Sequence, residues 1–250
     1  MHSRSIFLLT ALIVLVALAV TPTLAIADPL QDALTKAASE DYSPILRSFL
    51  LLSLLSLIPL LLISLTSFTR VVVVLALIRS ALGLQQTPPN SVLITLALFL
   101  TLFTMAPVFQ VAKTSAIDPY LQKQIPAEVA VTKAFQPLKT FMVRQTREGD
   151  LLAVVHMAGE KIPKTIDEVK ALDLIPAFML SELRTAFQIG FVIFLPFLLI
   201  DLVVAAILMA LGMIMVPPST ISLPLKILLF LLINGWTLIA QALLASYHGP

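Results

Sequence analysis

Two ionisable side chains, Asp201 and Lys226, stand inside the apolar stretch 189–244. An ionised carboxylate within an apolar helix is costly unless a partner or water reaches it, so the chemistry open to Asp201 is an ion pair or the buried acid of a transport site. Asp201 lies sixteen residues before Pro217, about 24 Å of helix, and Lys226 eight residues after Pro218, about 12 Å. In one regular hairpin they should miss each other. A neighbouring copy displaced by about 12 Å along its axis would bring them together, which predicts an inter-subunit salt bridge in a staggered assembly. The alternative is a carboxylate protonated or wetted near an interface, with Lys226 snorkelling.

Between them runs Gly212-Met213-Ile214-Met215-Val216-Pro217-Pro218, a turn with a hinge glycine and two rigid prolines. Methionine conforms to irregular or changing partners, and by default such residues pack a core. At a hairpin tip in a ring of copies they would instead form a deformable apolar plug. Enzymatic constellations are not found. After residue 27 only His156 and His248 remain, with no metal-ligand spacing, phosphate loop or nucleophile elbow. Ser181-Glu182 with His156 is a weak hydrolase pattern. No catalysis, cofactor or metal is expected.

The elements that must position these residues belong to a membrane protein. The chain is 59% hydrophobic and 12% charged, with mean hydropathy +1.02. Sixteen basic residues are interspersed with fourteen acidic ones, so no nucleic-acid face is implied. Cysteine is absent, which excludes disulfides and thiolate metal sites.

Residues 1–27 read as a cleavable signal peptide: His2 and Arg4, an apolar run, Pro22, then Ala25-Ile26-Ala27. An uncleaved first helix is the alternative, but about fifteen apolar residues are short for a span of roughly twenty. Residues 28–48 form an acidic N-terminal segment. Four apolar segments follow, at 49–68, 92–107, 189–215 and 223–244, which pair as hairpins 49–107 and 189–244. Loop 69–91 carries Arg70 and Arg79 and no acid, which places it in the cytoplasm and residues 108–188 on the outer side. The tail is 245–250.

The pattern of 108–188 is helical. Phe135, Leu138 and Phe141 recur at helical spacing after Pro126; Thr165-Ile166-Asp167-Glu168 has capping-box spacing; Gly149 and Gly159 read as breaks. Pro176 suits the first turn of a last helix that continues into the membrane segment. The expected fold is all-α: two long apolar helical hairpins and an intervening helical periplasmic domain.

Residues 176–191, PAFMLSELRTAFQIGF, followed by LPFLLIDLVVAAILMALGMIMVPPSTISLPLKILLFLLINGW, resemble the FliP family of flagellar biosynthesis proteins. SFTRVVVVLALIRSALGLQQTPPN, at 67–90, is similar to that family's first hairpin. The signal peptide and the Met-Val-Pro-Pro turn resemble flagellar members more than the related SctR proteins of injectisomes. The resemblance implies a core subunit of the flagellar type III export gate, a pentamer assembled with FliQ and FliR beside FlhA and FlhB. It also implies a place in the bacterial inner membrane, within the basal body, with much of the assembly standing proud of the bilayer. Translocated rod, hook and filament proteins would pass through it. By motif, Met213, Ile214 and Met215 match the family's pore gasket, with Ile at the middle position. Asp201 and Lys226 match charged positions between subunits, and Glu182, Phe135 and Phe141 lie in the region that helps the ring form.

Overall fold

The computed structural model describes residues 44–163, 165 and 168–248, and the chain divides into two units, 1–58 and 59–250. The signal segment and residues 28–43 lie outside the described residues. In the first unit, helix α1 (Pro44–Ser56) is apolar and exposes Phe49, Leu52 and Leu55. It begins ahead of the expected boundary at 49, because Pro44 suits the first helical position, where no N–H is needed.

Helix α2 (Ile58–Leu65) starts at the unit boundary, and the second unit continues with α3 (Phe68–Ala81) and α4 (Asn90–Ala112). A π-helical turn (Lys113–Ile117) carries α4 into α5 (Asp118–Leu121). Then come α6 (Ala127–Gln145), α7 (Glu148–Met157), α8 (Ala171–Ala210), α9 (Ser219–Leu232) and α10 (Gly235–His248). All regular elements among the described residues are helical.

The region 69–91, expected as a loop, is mostly helix α3. Its Val71, Val74, Leu75 and Ile78 are buried in the core. The polar Thr66-Ser67 and Thr69-Arg70 interrupt the apolar run because the chain turns a corner there: Pro59–Leu65 and Phe68–Ala81 are bent by 83°. Hydroxyls satisfy the backbone groups that the corner releases, Thr69 Oγ1 donating to the Ile63 carbonyl at 2.8 Å and the Phe68 N–H donating to Thr66 Oγ1 at 3.3 Å.

Two more expectations need local correction. Gly149 sits in the first turn of α7, and the break falls before it at Thr146-Arg147; Gly159 does end that helix, at φ +67°. Thr165 and Glu168 form a turn, the Glu168 N–H donating to the Thr165 carbonyl at 3.2 Å, and the helix begins only at Ala171. Ile166 and Asp167 lie outside the described residues. Pro176 is therefore inside α8, not in its first turn.

Among the described residues, two helical stretches are long and apolar enough to cross a membrane, Asn90–Leu121 and Ala171–Ala210, and the two bent pairs, 59–81 and 219–247, raise the possible spans to four. Helix α8, 40 residues or about 60 Å, runs without a break from the 108–188 region through the third apolar segment. It packs chiefly on α3. The two backbones approach so closely at Gly190 that a Cβ there would lie 2.3 Å from Leu77 Cδ1 and 3.1 Å from its Cβ. Leu77 can swing its terminal methyl but not its Cβ. We expect Gly190→Val to destabilise the folded chain by about 2–3 kcal/mol through overpacking, read as a lower thermal midpoint in detergent. A midpoint equal to the parent's would show that α3 and α8 can separate freely there.

Candidate functional site

Asp201 and Lys226 meet within one chain: Lys226 Nζ donates to Asp201 Oδ2 at 2.5 Å and to the Ala81 carbonyl at 3.4 Å. The expectation that they need a neighbouring copy to meet is corrected. Unequal depths require a helix that continues to Pro217, whereas α8 stops at Ala210 and α9 starts at Ser219. Measured from the helix ends, Asp201 stands about 13 Å deep and Lys226 about 10 Å, within reach of a lysine side chain. The ammonium also sits at the C-terminal end of α3, where free carbonyls and the helix dipole favour a cation. Its side chain is 7% exposed, whereas that of Asp201 is 39% exposed. One side of the carboxylate is therefore open.

The turn between these helices is built by a glycine. Gly212 adopts φ +73°, its N–H donates to the Met209 carbonyl at 3.0 Å, and the Met213 N–H donates to Leu208 at 2.9 Å. This paired capping closes α8, and only a residue tolerating the left-handed region does so without strain. Pro217 and Pro218 then launch α9: Thr220 N–H and its hydroxyl both donate to the Pro217 carbonyl. The turn holds its apolar side chains outward, with Met213 43%, Ile214 85% and Met215 97% exposed. Such exposure of three consecutive apolar side chains excludes the core-packing reading within a single chain.

A second polar cluster lies at the other end of α8. Glu182 has no exposure, and both its oxygens accept from Arg70, Nε at 3.0 Å to Oε2 and Nη2 to Oε1. Arg70 Nη2 also donates to Gln145 Oε1 at 3.1 Å, and Nη1 to Ser246 Oγ at 3.2 Å. The Tyr247 hydroxyl stands 2.7 Å from Glu182 Oε2, and its ring lies 3.9 Å under the guanidinium. The two-pronged geometry and the additional partners offset the desolvation of both charges. Four helices, α3, α6, α8 and α10, are joined at this point.

Residues 51–243 match the FliP family. The chain belongs to the FliP family. Flagellar biosynthetic protein FliP of Bacillus subtilis (strain 168) is 48% identical over 208 residues, 83% of this chain and 94% of the relative. The protein of the same description in Pectobacterium carotovorum subsp. carotovorum is 49% identical over 202 residues, 81% and 78% of the two chains. That of Cereibacter sphaeroides is 49% identical over 199 residues, 80% and 66%.

The residues that the FliP resemblance associates with ring formation take inward positions. Glu182 is fully buried, and Phe141 is buried against Phe178, edge-on at 5.9 Å, and Tyr247, stacked at 6.0 Å. Phe135 is half-buried against the same core. Glu182 and Phe141 are thus part of the subunit's own packing. The hydrolase pattern is not assembled: Ser181 Oγ donates to Asp150 Oδ2 at 2.8 Å and accepts from the Arg147 N–H, while His156 is exposed on α7.

Arg70 is the member of the Glu182 cluster that the sequence does not reveal, since it reads as a loop charge. The signal was present in Glu182, an acid inside an apolar helical run that needs a partner for the reason given for Asp201. With Arg70 neutralised in the core, the positive-inside argument for 69–91 retains only Arg79, whose guanidinium donates to the Pro88 carbonyl and Asn90 Oδ1.

Proposed function

We propose that this chain is a core, channel-forming subunit of the flagellar type III protein export gate. Several copies, a pentamer by family expectation, assemble with FliQ and FliR in the bacterial inner membrane. FlhA and FlhB stand beside them. Unfolded rod, hook and filament subunits pass through the centre from the cytoplasmic side, and the 108–188 region stands on the periplasmic side. The observation that carries this reading is the outward Met213-Ile214-Met215 turn at the end of a 40-residue apolar helix, with Ile214 and Met215 almost wholly uncovered and Met213 partly so in the single chain. Arranged around an axis, such turns close a pore to ions and yield to a threaded polypeptide.

Asp201 fits this arrangement in a modified way. Its bond to Lys226 braces the hairpin internally, and the open side of its carboxylate remains for a neighbouring subunit. The chain works as a passive, gated conduit; energy is supplied by an ATPase complex and the proton-motive force elsewhere in the apparatus. The test is electron cryomicroscopy of the chain co-expressed with its FliQ and FliR partners. A ring with Met213 and Met215 on the axis is expected. A stable monomer or dimer with Asp201 facing its own water-filled cavity would overturn the gate and favour a small-molecule transporter.

A further inference from the structure

We infer that Met213 and Met215 are an oxidation-sensitive site, where a peroxide turns thioethers into sulfoxides and so loosens the seal at the end of α8. The chain has no cysteine, so no thiol competes for a mild two-electron oxidant, and the methionine thioethers are its most readily oxidised side chains. Exposure decides which of them react. Met105 and Met142 are locked in the core with none, whereas Met215 is 97% exposed and Met213 partly so.

The turn gives these two sulfurs no shelter. Gly212 has no side chain, and Met209 and Leu211 before it are themselves exposed. The hydrogen bonds that close the turn run between backbone groups: Gly212 N–H to Met209, Met213 N–H to Leu208, and Val216 N–H to the Met213 carbonyl at 3.3 Å. Oxidation at Sδ breaks none of them. The subunit therefore keeps its fold while the character of its tip changes.

The chemistry balances on hydrogen peroxide. A lone pair on Sδ attacks one peroxide oxygen, and the S–O bond forms as the O–O bond breaks. The departing hydroxide takes the proton of the transferred oxygen and leaves as water, so sulfur is oxidised by two electrons and the peroxide reduced by the same two. The product is polar and accepts hydrogen bonds from water. Pressed into an apolar contact it would lose those bonds, which favours hydration of a ring of oxidised turns. Ile214, between them, carries no sulfur and stays apolar. The oxidised turn is weakened as a seal but not erased.

The inference rests on the export-gate reading, in which the same side chains meet around an axis. The test takes the gate assembled with its FliQ and FliR partners in lipid vesicles and treats it with hydrogen peroxide. Ion conductance is read alongside the oxygen added to each methionine-containing peptide, by mass spectrometry. Met215 and Met213 should be oxidised while Met105 and Met142 stay intact. Conductance should rise several-fold, to less than that of a gate lacking 213–215, and fall again under methionine sulfoxide reductases with a dithiol. Met213→Leu with Met215→Leu leaves no sulfur in the seal, so its conductance, whatever its starting value, should not respond to peroxide. Met157→Leu removes an exposed methionine on α7 and should respond as the parent does. Oxidation of Met213 and Met215 without a rise, where deletion of 213–215 does raise conductance, would overturn the inference and leave the gate standing. So would a rise that persists in the double leucine variant, or a Met215 that reacts no faster than Met142. Conductance unmoved by both oxidation and deletion would overturn the plug and this inference together.

Discussion

Replacing Glu182 by alanine is expected to cost about 3–5 kcal/mol of stability, the range for removing one partner of a buried ion pair. Arg70 would keep its charge at 3% side-chain exposure, with only Gln145, Ser246 and the Tyr247 ring to hold it. A loss of that size is a large part of the margin by which a domain stays folded. The measurements are the amount of chain accumulating in membranes and its thermal midpoint in detergent. Because the fault is an unpaired cation, the double replacement Arg70→Met with Glu182→Leu should recover much of the loss. Ring assembly in Glu182→Ala should fall only as far as folded subunit does. If the folded subunit accumulates normally and melts at the parental temperature while the ring fails to form, Glu182 acts directly between subunits and the burial argument fails.

Deletion of Met213, Ile214 and Met215 should have the opposite profile, leaving the subunit intact and opening the membrane. These side chains are largely exposed in the single chain, so their loss removes little packing. The cap of α8 needs only a backbone N–H after Gly212, and Val216 can supply it. Assembly and secretion should persist, whereas ion conductance of membranes carrying the assembled gate should rise several-fold. Unchanged conductance would remove the plug and leave the turn a structural link.

What was legible in the sequence follows the range of the interactions. The turn at 212–218 is specified by a glycine, two prolines and apolar residues that are neighbours in the chain, and its outward presentation agrees with that local reading. Asp201 and Lys226 were both visible as misfits in apolar helices. Their depths look unequal in the sequence because Leu211 and the residues beyond Gly212 prolong the apolar run after the helix has ended. Gly212 is the stop signal, and a helix ended there brings the two charges nearly level. Helix α3 was hidden because Thr69-Arg70 reads as the edge of a loop. Only the fold brings Arg70 to Glu182, 112 positions away, and turns a loop charge into a core residue.

Helix α8 also has a mechanical side. Glu182 is clamped by four helices, whereas the turn beyond Ala210 is uncovered, and the helix between them is about 42 Å long. It is tied again on the way, Phe197 against Phe230 and Asp201 to Lys226, so that only the last nine residues and the turn project beyond the second brace. Pro196 stands partway along, where the missing backbone bond lowers the resistance to bending. A load on the methionine turn would therefore meet the Asp201–Lys226 brace first and the Arg70–Glu182 clamp only after it.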